Sequence, residues 1–133
     1  MRLRYFLSFV FFLVTFTNVF SQKSIREKII GTWEATDNAD EFGSLKFLDS
    51  LNVIITIEGE ALPKGIYIID TTKKPMWLDI IIKNGDKTAT IKSLFQLIDD
   101  DTIKWQIFFD GNRTNDFSKE TDEDTIILKR KKD

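Results

Sequence analysis

The chain contains no cysteine and no histidine in 133 residues. Without cysteine there are no disulfide staples, no thiolate nucleophile and no sulfur to carry a lipid. Without histidine, the usual general base near neutral pH is missing. Carboxylates are plentiful, but most of the Asp and Glu lie in turn-like segments, where Asp serves by bonding to local backbone. The reading is therefore a protein that is not an enzyme. An excess of positive charge is lacking too, with 19 basic against 21 acidic residues. Nucleic-acid binding needs a basic stripe. The only basic run, Lys129 to Lys132, reads as a solvated strand end.

No apolar run reaches the roughly 20 residues that a bilayer core demands. Arg2 and Arg4 precede a stretch from Tyr5 to Phe20 that is interrupted by Ser8, Thr15, Thr17 and Asn18. Val19 and Ser21 then stand where a signal peptidase needs modest side chains, before Gln22. These features predict a signal peptide over residues 1–21, cleavage after Ser21, and an exported protein, periplasmic or extracellular, with no membrane span once the leader is gone. Residues 22–133 then form a single domain. Loss of Arg2 and Arg4 leaves 17 basic against 21 acidic residues, a net charge of −4.

Strand signals dominate that domain. Thr32 to Asp37, Phe42 to Asp49, Leu51 to Ile57, Gly65 to Asp70, Met76 to Lys83, Thr88 to Ile98, Ile103 to Asp110 and Thr125 to Lys131 are rich in β-branched and aromatic residues. Turn chemistry separates them at Glu58-Gly59-Glu60, Thr71 to Pro75, Asn84-Gly85-Asp86, Asp99 to Asp101 and Gly111 to Asn115. Only Ser24 to Ile30 reads as helix, with Ser24 as N-cap and Glu27 as its capping-box partner. One short helix followed by about eight sequential hairpin strands is an all-β, antiparallel architecture.

Asn84-Gly85 fits a type I′ hairpin turn, which predicts Lys83 opposite Asp86, Asp79 opposite Thr90 and Trp77 opposite Lys92. Met76, Leu78, Ile80 and Ile82 then share the inner face, while Trp77, Asp79, Ile81 and Lys83 look outward. Ile91, Ser93, Phe95 and Leu97 continue the inner set, as do Ile103, Trp105, Ile107 and Phe109. Asp79 finds an ordinary cross-strand partner in Thr90. Asp99-Asp100-Asp101 and Asp122-Glu123-Asp124 read as solvated turns, and Lys104 occupies the place where an EF-hand opened by Asp99 would need glycine. Neither a metal nor a cofactor is called for.

Gly31-x-Trp33 on the first strand and Arg130 on the last become neighbours if the sheet closes, and the guanidinium then covers the indole face. This pattern after a short helix resembles the lipocalin and lipocalin-like superfamily. More specifically, the stretch from Gly65 to Ile80, with Tyr67, Asp70, Lys73, Pro75 and Asp79, resembles the "G-x-Y-x-x-D-x-x-K-x-P-x-x-I-D-L" core of a bacterial family of exported lipocalin-like proteins without a settled function. Arg113 and Phe117 match part of that family's later "R-P-x-x-F" segment, with Thr114 in place of its proline and one extra intervening residue.

The resemblance implies a roughly eight-stranded up-and-down barrel whose interior holds one small apolar molecule. Barrel physics alone allows eight strands to be filled by side chains or to admit one small ligand. Candidate ligand residues are Tyr67, Leu78, Phe95, Trp105 and Ile107, with Ile103 beside them. Gly31, Trp33 and Arg130 close the barrel at the end away from the expected mouth. Two functions stand side by side: a carrier of a small hydrophobic molecule, or a filled barrel acting through its surface on a protein partner of the cell envelope. Phe108 with Phe109 and Ile80 with Ile81 place apolar residues on both faces, so part of the outer surface is expected to be covered, by a partner or by the Ser24 to Ile30 helix.

Overall fold

The computed structural model describes residues 24–36, 43–118 and 125–132. The predicted leader and the Asp122 to Asp124 cluster lie outside the described residues, as do Asp37 and Phe42 at two expected strand ends. A four-residue helix, α1 (Ile25–Lys28), precedes nine strands: β1 (Gly31–Ala35), β2 (Ser44–Phe47), β3 (Asn52–Ile57), β4 (Glu60–Ala61), β5 (Gly65–Asp70), β6 (Met76–Asn84), β7 (Lys87–Asp99), β8 (Thr102–Phe108) and β9 (Thr125–Arg130). All neighbours are antiparallel, β9 pairs with β1, and β2 pairs with β3. Eight strands thereby form a closed up-and-down barrel with no free edge. β4 continues the β3 hairpin, because the Glu58-Gly59 turn brings Thr56 opposite Ala61, and the chain kinks before β5 takes over the ladder. Among the described residues no helix is long and apolar enough to cross a membrane.

Local chemistry explains the elements. The Ser24 hydroxyl accepts the Glu27 amide at 3.4 Å and so caps α1. Asp49, Asp70, Asp99 and Asp110 stand at strand ends, and each carboxylate accepts a backbone N–H two residues on. These are the Asx turns that acidic turn residues are expected to make. On β6, Leu78, Ile80 and Ile82 are buried while Trp77, Asp79 and Ile81 alternate with them on the half-exposed outer face. Strand period, rather than a specific contact, sets that division.

The β6–β7 register differs from expectation by two residues. Lys83 lies opposite Thr88, Asp79 opposite Lys92 and Trp77 opposite Leu94. The two-residue loop is Gly85-Asp86, with Gly85 at φ +63° in first position. Glycine in that place fits a type II′ hairpin as well as Asn-Gly fits type I′. A shift of two residues preserves the side-chain alternation, so the inner set survives. At the other end of β7, the ladder shifts between Leu97 and Asp99 and leaves a two-residue loop, Asp100-Asp101. Phe109 departs from the inner set altogether, since it lies beyond the end of β8 and is 79% exposed.

The interior is filled. Trp33, Tyr67, Phe95 and Trp105 are fully buried and Phe47 nearly so, and they belong to one continuous cluster with Leu45, Leu78, Ile80, Ile103 and Leu128. Phe47 packs edge-on against Tyr67 and Phe95, with ring centroids 4.9 and 6.2 Å apart.

Candidate functional site

Gly31, Trp33 and Arg130 meet as expected, at the end of the barrel covered by α1. Trp33 faces Arg130 across the β1–β9 ladder, and the guanidinium lies 4.2 Å from the indole centroid. Indole Nε1–H donates to Ile29 O at 2.9 Å. The guanidinium donates to Lys28 O, Ile30 O and Asp100 O at 2.6 to 3.3 Å. One side chain thus ties the C-terminal end of α1, the entry to β1 and the β7–β8 turn, and satisfies the Lys28 carbonyl at the end of the helix. Gly31 sits at φ +129°, and a Cβ there would come within 3.3 Å of Arg130 Nη1. Both the backbone angle and the guanidinium call for glycine.

The five candidate ligand residues all project into the barrel. Tyr67, Leu78, Phe95 and Trp105 are fully buried and Ile107 is 7% exposed. Phe95 and Trp105 are direct cross-strand partners, and Tyr67 faces Ile80. The Tyr67 hydroxyl donates to Asp49 O at 2.8 Å, and the Arg26 guanidinium lies 5.5 Å from the ring centroid. Burial pushes the phenol above its ordinary pKa of 10.0. Its polar tip is thus satisfied by the protein itself.

Open hollows lie outside the barrel instead: one of about 460 Å³ beside Arg130 and Asp100, one of about 420 Å³ between the end of β8 and Ser118, and one at the β5–β6 turn. A cavity of about 430 Å³ is bounded by Lys73, Lys74, Pro75 and Met76 on one side and by Gln96 and Leu97 on the other, with buried Phe95 beneath. Of the sequence candidates, Phe95 alone borders it. The turn is set by Asp70, whose carboxylate accepts the Thr72 amide at 3.0 Å and the Thr72 hydroxyl at 2.6 Å. Those bonds, aided by the charges of Lys73 and Arg113, hold the Asp70 carboxyl below its ordinary 3.8. Met76 faces Phe95, Leu97 faces Ile103, and both are half-buried. This cavity shares the end of the barrel that carries Trp33 and Arg130, whereas the sequence reading looked to the opposite rim.

The covered patch of outer wall is occupied by the chain's own segment after β8, not by α1. Arg113 donates to Asp79 at 2.5 Å and to Ser93 O at 3.3 Å, and its guanidinium lies 3.9 Å from the Trp77 centroid. Asp79 therefore pairs with Arg113, and Thr90 faces Ile81 instead. Gln106 and Ser118 exchange two hydrogen bonds at 2.7 and 3.0 Å, and Lys104 lies 4.6 Å from the Phe117 centroid. Lys73 reaches the Trp77 ring as well, at 4.8 Å, so Trp77 links the cavity lip to the covering segment. The stretch from Gly65 to Ile80 and the segment after β8 are joined through these residues.

Comparison of the chain with protein-family models, with curated proteins and with solved structures finds no match.

Proposed function

We propose that the chain is an exported, lipocalin-like carrier of one small hydrophobic molecule, seated at the β5–β6 turn cavity and not within the filled barrel. The observation that carries this reading is a cavity of about 430 Å³ whose walls include Pro75, Met76 and Leu97, all half-buried and free to lose further surface to a ligand. That volume falls within the roughly 300 to 1,000 Å³ common to small-molecule sites. Burial of apolar surface supplies roughly 25 cal/mol per Å². Catalysis and a cofactor play no part in this reading.

The test is to purify the protein from its native compartment, extract it with organic solvent, and compare the released compounds by mass spectrometry with a denatured control. A recurrent apolar compound that also displaces an environment-sensitive dye supports a carrier. Failure of both measurements rejects it.

A second reading, an envelope protein that acts through its outer wall on a protein partner, draws on Ile66 and Ile68. They are 37% and 51% exposed on the outer face of β5, with Ile81 opposite Ile66. Replacement of Ile68 by Lys should abolish repeated recovery of one envelope protein in a pull-down while leaving dye binding intact.

A further inference from the structure

The turn cavity has an asymmetric lip. Its deeper walls are Met76, Leu97 and the buried ring of Phe95, while Lys73 and Lys74 are exposed at its edge. No carboxylate borders the cavity among the described residues. Asp70, the nearest acid in sequence, is committed to Thr72 through two hydrogen bonds. Two adjacent cations without a bordering acid stand out in a chain that is otherwise net negative. Lys73 can move without leaving a buried charge, since it is itself exposed and the two groups it acts on, the Trp77 ring and the Asp70 carboxylate, are both half-exposed.

We propose that this cavity is specific for an anionic amphiphile, with a short alkyl chain laid over Pro75, Met76 and Leu97 and a carboxylate or similar head held by Lys73 and Lys74. This rests on the carrier reading above and adds the charge of the ligand. At the roughly 30 Å³ that a water-sized group occupies, about 430 Å³ takes on the order of a dozen heavy atoms. That is the size of a medium-chain fatty acid. The chain supplies affinity through apolar burial, and the head supplies orientation and selectivity through charge-assisted hydrogen bonds from two ammonium groups. An uncharged alcohol of the same length gains only the first of these. A quaternary ammonium of the same length meets like charge at the lip.

The test uses the protein purified from its native compartment and delipidated, with decanoate, decanol and decyltrimethylammonium as probes below their micelle-forming concentrations. Binding is read by calorimetry and by displacement of an environment-sensitive apolar dye. Decanoate should bind on the order of fivefold to tenfold more tightly than decanol, the scale of partly exposed charge pairs, and decyltrimethylammonium should bind most weakly. The preference should shrink as salt is added. Lys73→Met with Lys74→Met should bring decanoate down to the level of decanol, and Lys73→Glu with Lys74→Glu should favour the cationic probe. Both lysines are exposed, so the variants are expected to fold as the parent does, which far-ultraviolet circular dichroism verifies. Equal affinity for decanoate and decanol, or a preference unchanged in the Met variant, overturns the charge assignment and leaves the carrier reading in place. If none of the three probes binds, both fall.

Discussion

Replacing Arg130 by Met removes the charge but keeps a flexible apolar stem over Trp33. The guanidinium donates to three carbonyls, those of Lys28, Ile30 and Asp100, and covers the Trp33 ring. Hydrogen bonds from a charged donor contribute about 1.5 to 3 kcal/mol each when dry. The side chain is 26% exposed, so water recovers part of that once it is removed. Counting two bonds at the lower end, and about 0.5 to 1 kcal/mol for the cation–π contact, the loss comes to about 3 to 4 kcal/mol. In urea this should lower the midpoint without altering the slope, and on heating it should lower Tm by roughly 10 to 25 °C. Lys132→Met is the control, because Lys132 is 78% exposed and pairs at 3.7 Å with Asp101, the same carboxylate that Arg130 reaches at 3.3 Å. It removes the same charge from the same end and should cost less than about 0.5 kcal/mol. A cycle with Trp33→Phe should show coupling of at least about 0.5 kcal/mol. If Arg130→Met costs no more than Lys132→Met, the guanidinium does not hold the barrel end and the account of closure fails.

Asp79→Ala leaves Arg113, only 8% exposed, without its carboxylate. Breaking a fully buried pair costs about 3 to 5 kcal/mol, but Asp79 is 32% exposed, so about 1 to 3 kcal/mol is expected by urea denaturation, with partial recovery when Arg113→Met is added. Asp49, Asp70 and Asp99 are each held below their ordinary pKa of 3.8, chiefly by hydrogen bonds from Asn52, Thr72 and Asp101 respectively. Their contribution to stability is complete above 3.8 and is lost as pH falls through their lower folded values, so the urea midpoint should drop on the acid side and Asp70→Asn should flatten part of that slope. The sequence has two tyrosines, Tyr5 and Tyr67. In protein lacking the predicted leader, phenolate absorbance reports Tyr67 alone, and its midpoint should lie above 10.0. Because the folded value is the higher one, stability should fall as pH rises through it.

Much of the barrel is legible from periodicity alone. Gly65 to Asp70 is a strand within its expected bounds, and the inward rows of β6 and β8 follow from alternation as far as Ile107. The Gly31, Trp33 and Arg130 grouping is readable because closure must bring the first and last strands together. The β6–β7 register is not, since Asn84-Gly85-Asp86 holds two good hairpin dipeptides and local turn preference cannot choose between them. Asp79 and Arg113 lie 34 positions apart, and cross-strand rules reach only immediate ladder neighbours. Gln106 reads as an outward polar residue, yet it is buried because residues near Ser118 fold back over it. The turn cavity escapes sequence reading for a similar reason. Lys73-Lys74-Pro75 announces a turn, but the space between that turn and the end of β7 depends on how the turn folds over the strand.

Ring closure also has a temporal consequence. The bond from Arg130 to Ile30 O joins residues 100 positions apart, whereas the hairpins from β5 to β8 each join near neighbours in the chain. Loop entropy must be overcome before a distant ladder returns any energy, so the β5–β8 meander is expected to form first and the β1–β9 ladder last. Hydrogen exchange at Thr36 and Lys131, whose amides donate to Ile127 O and Thr32 O across that ladder, should then be the earliest in the ring to speed up as stability is lowered, because the last ladder made is the cheapest to open. While that ladder is parted, β9 can close the ring of a second molecule as readily as its own. Weakening Arg130 should therefore favour strand-exchanged dimers at high concentration.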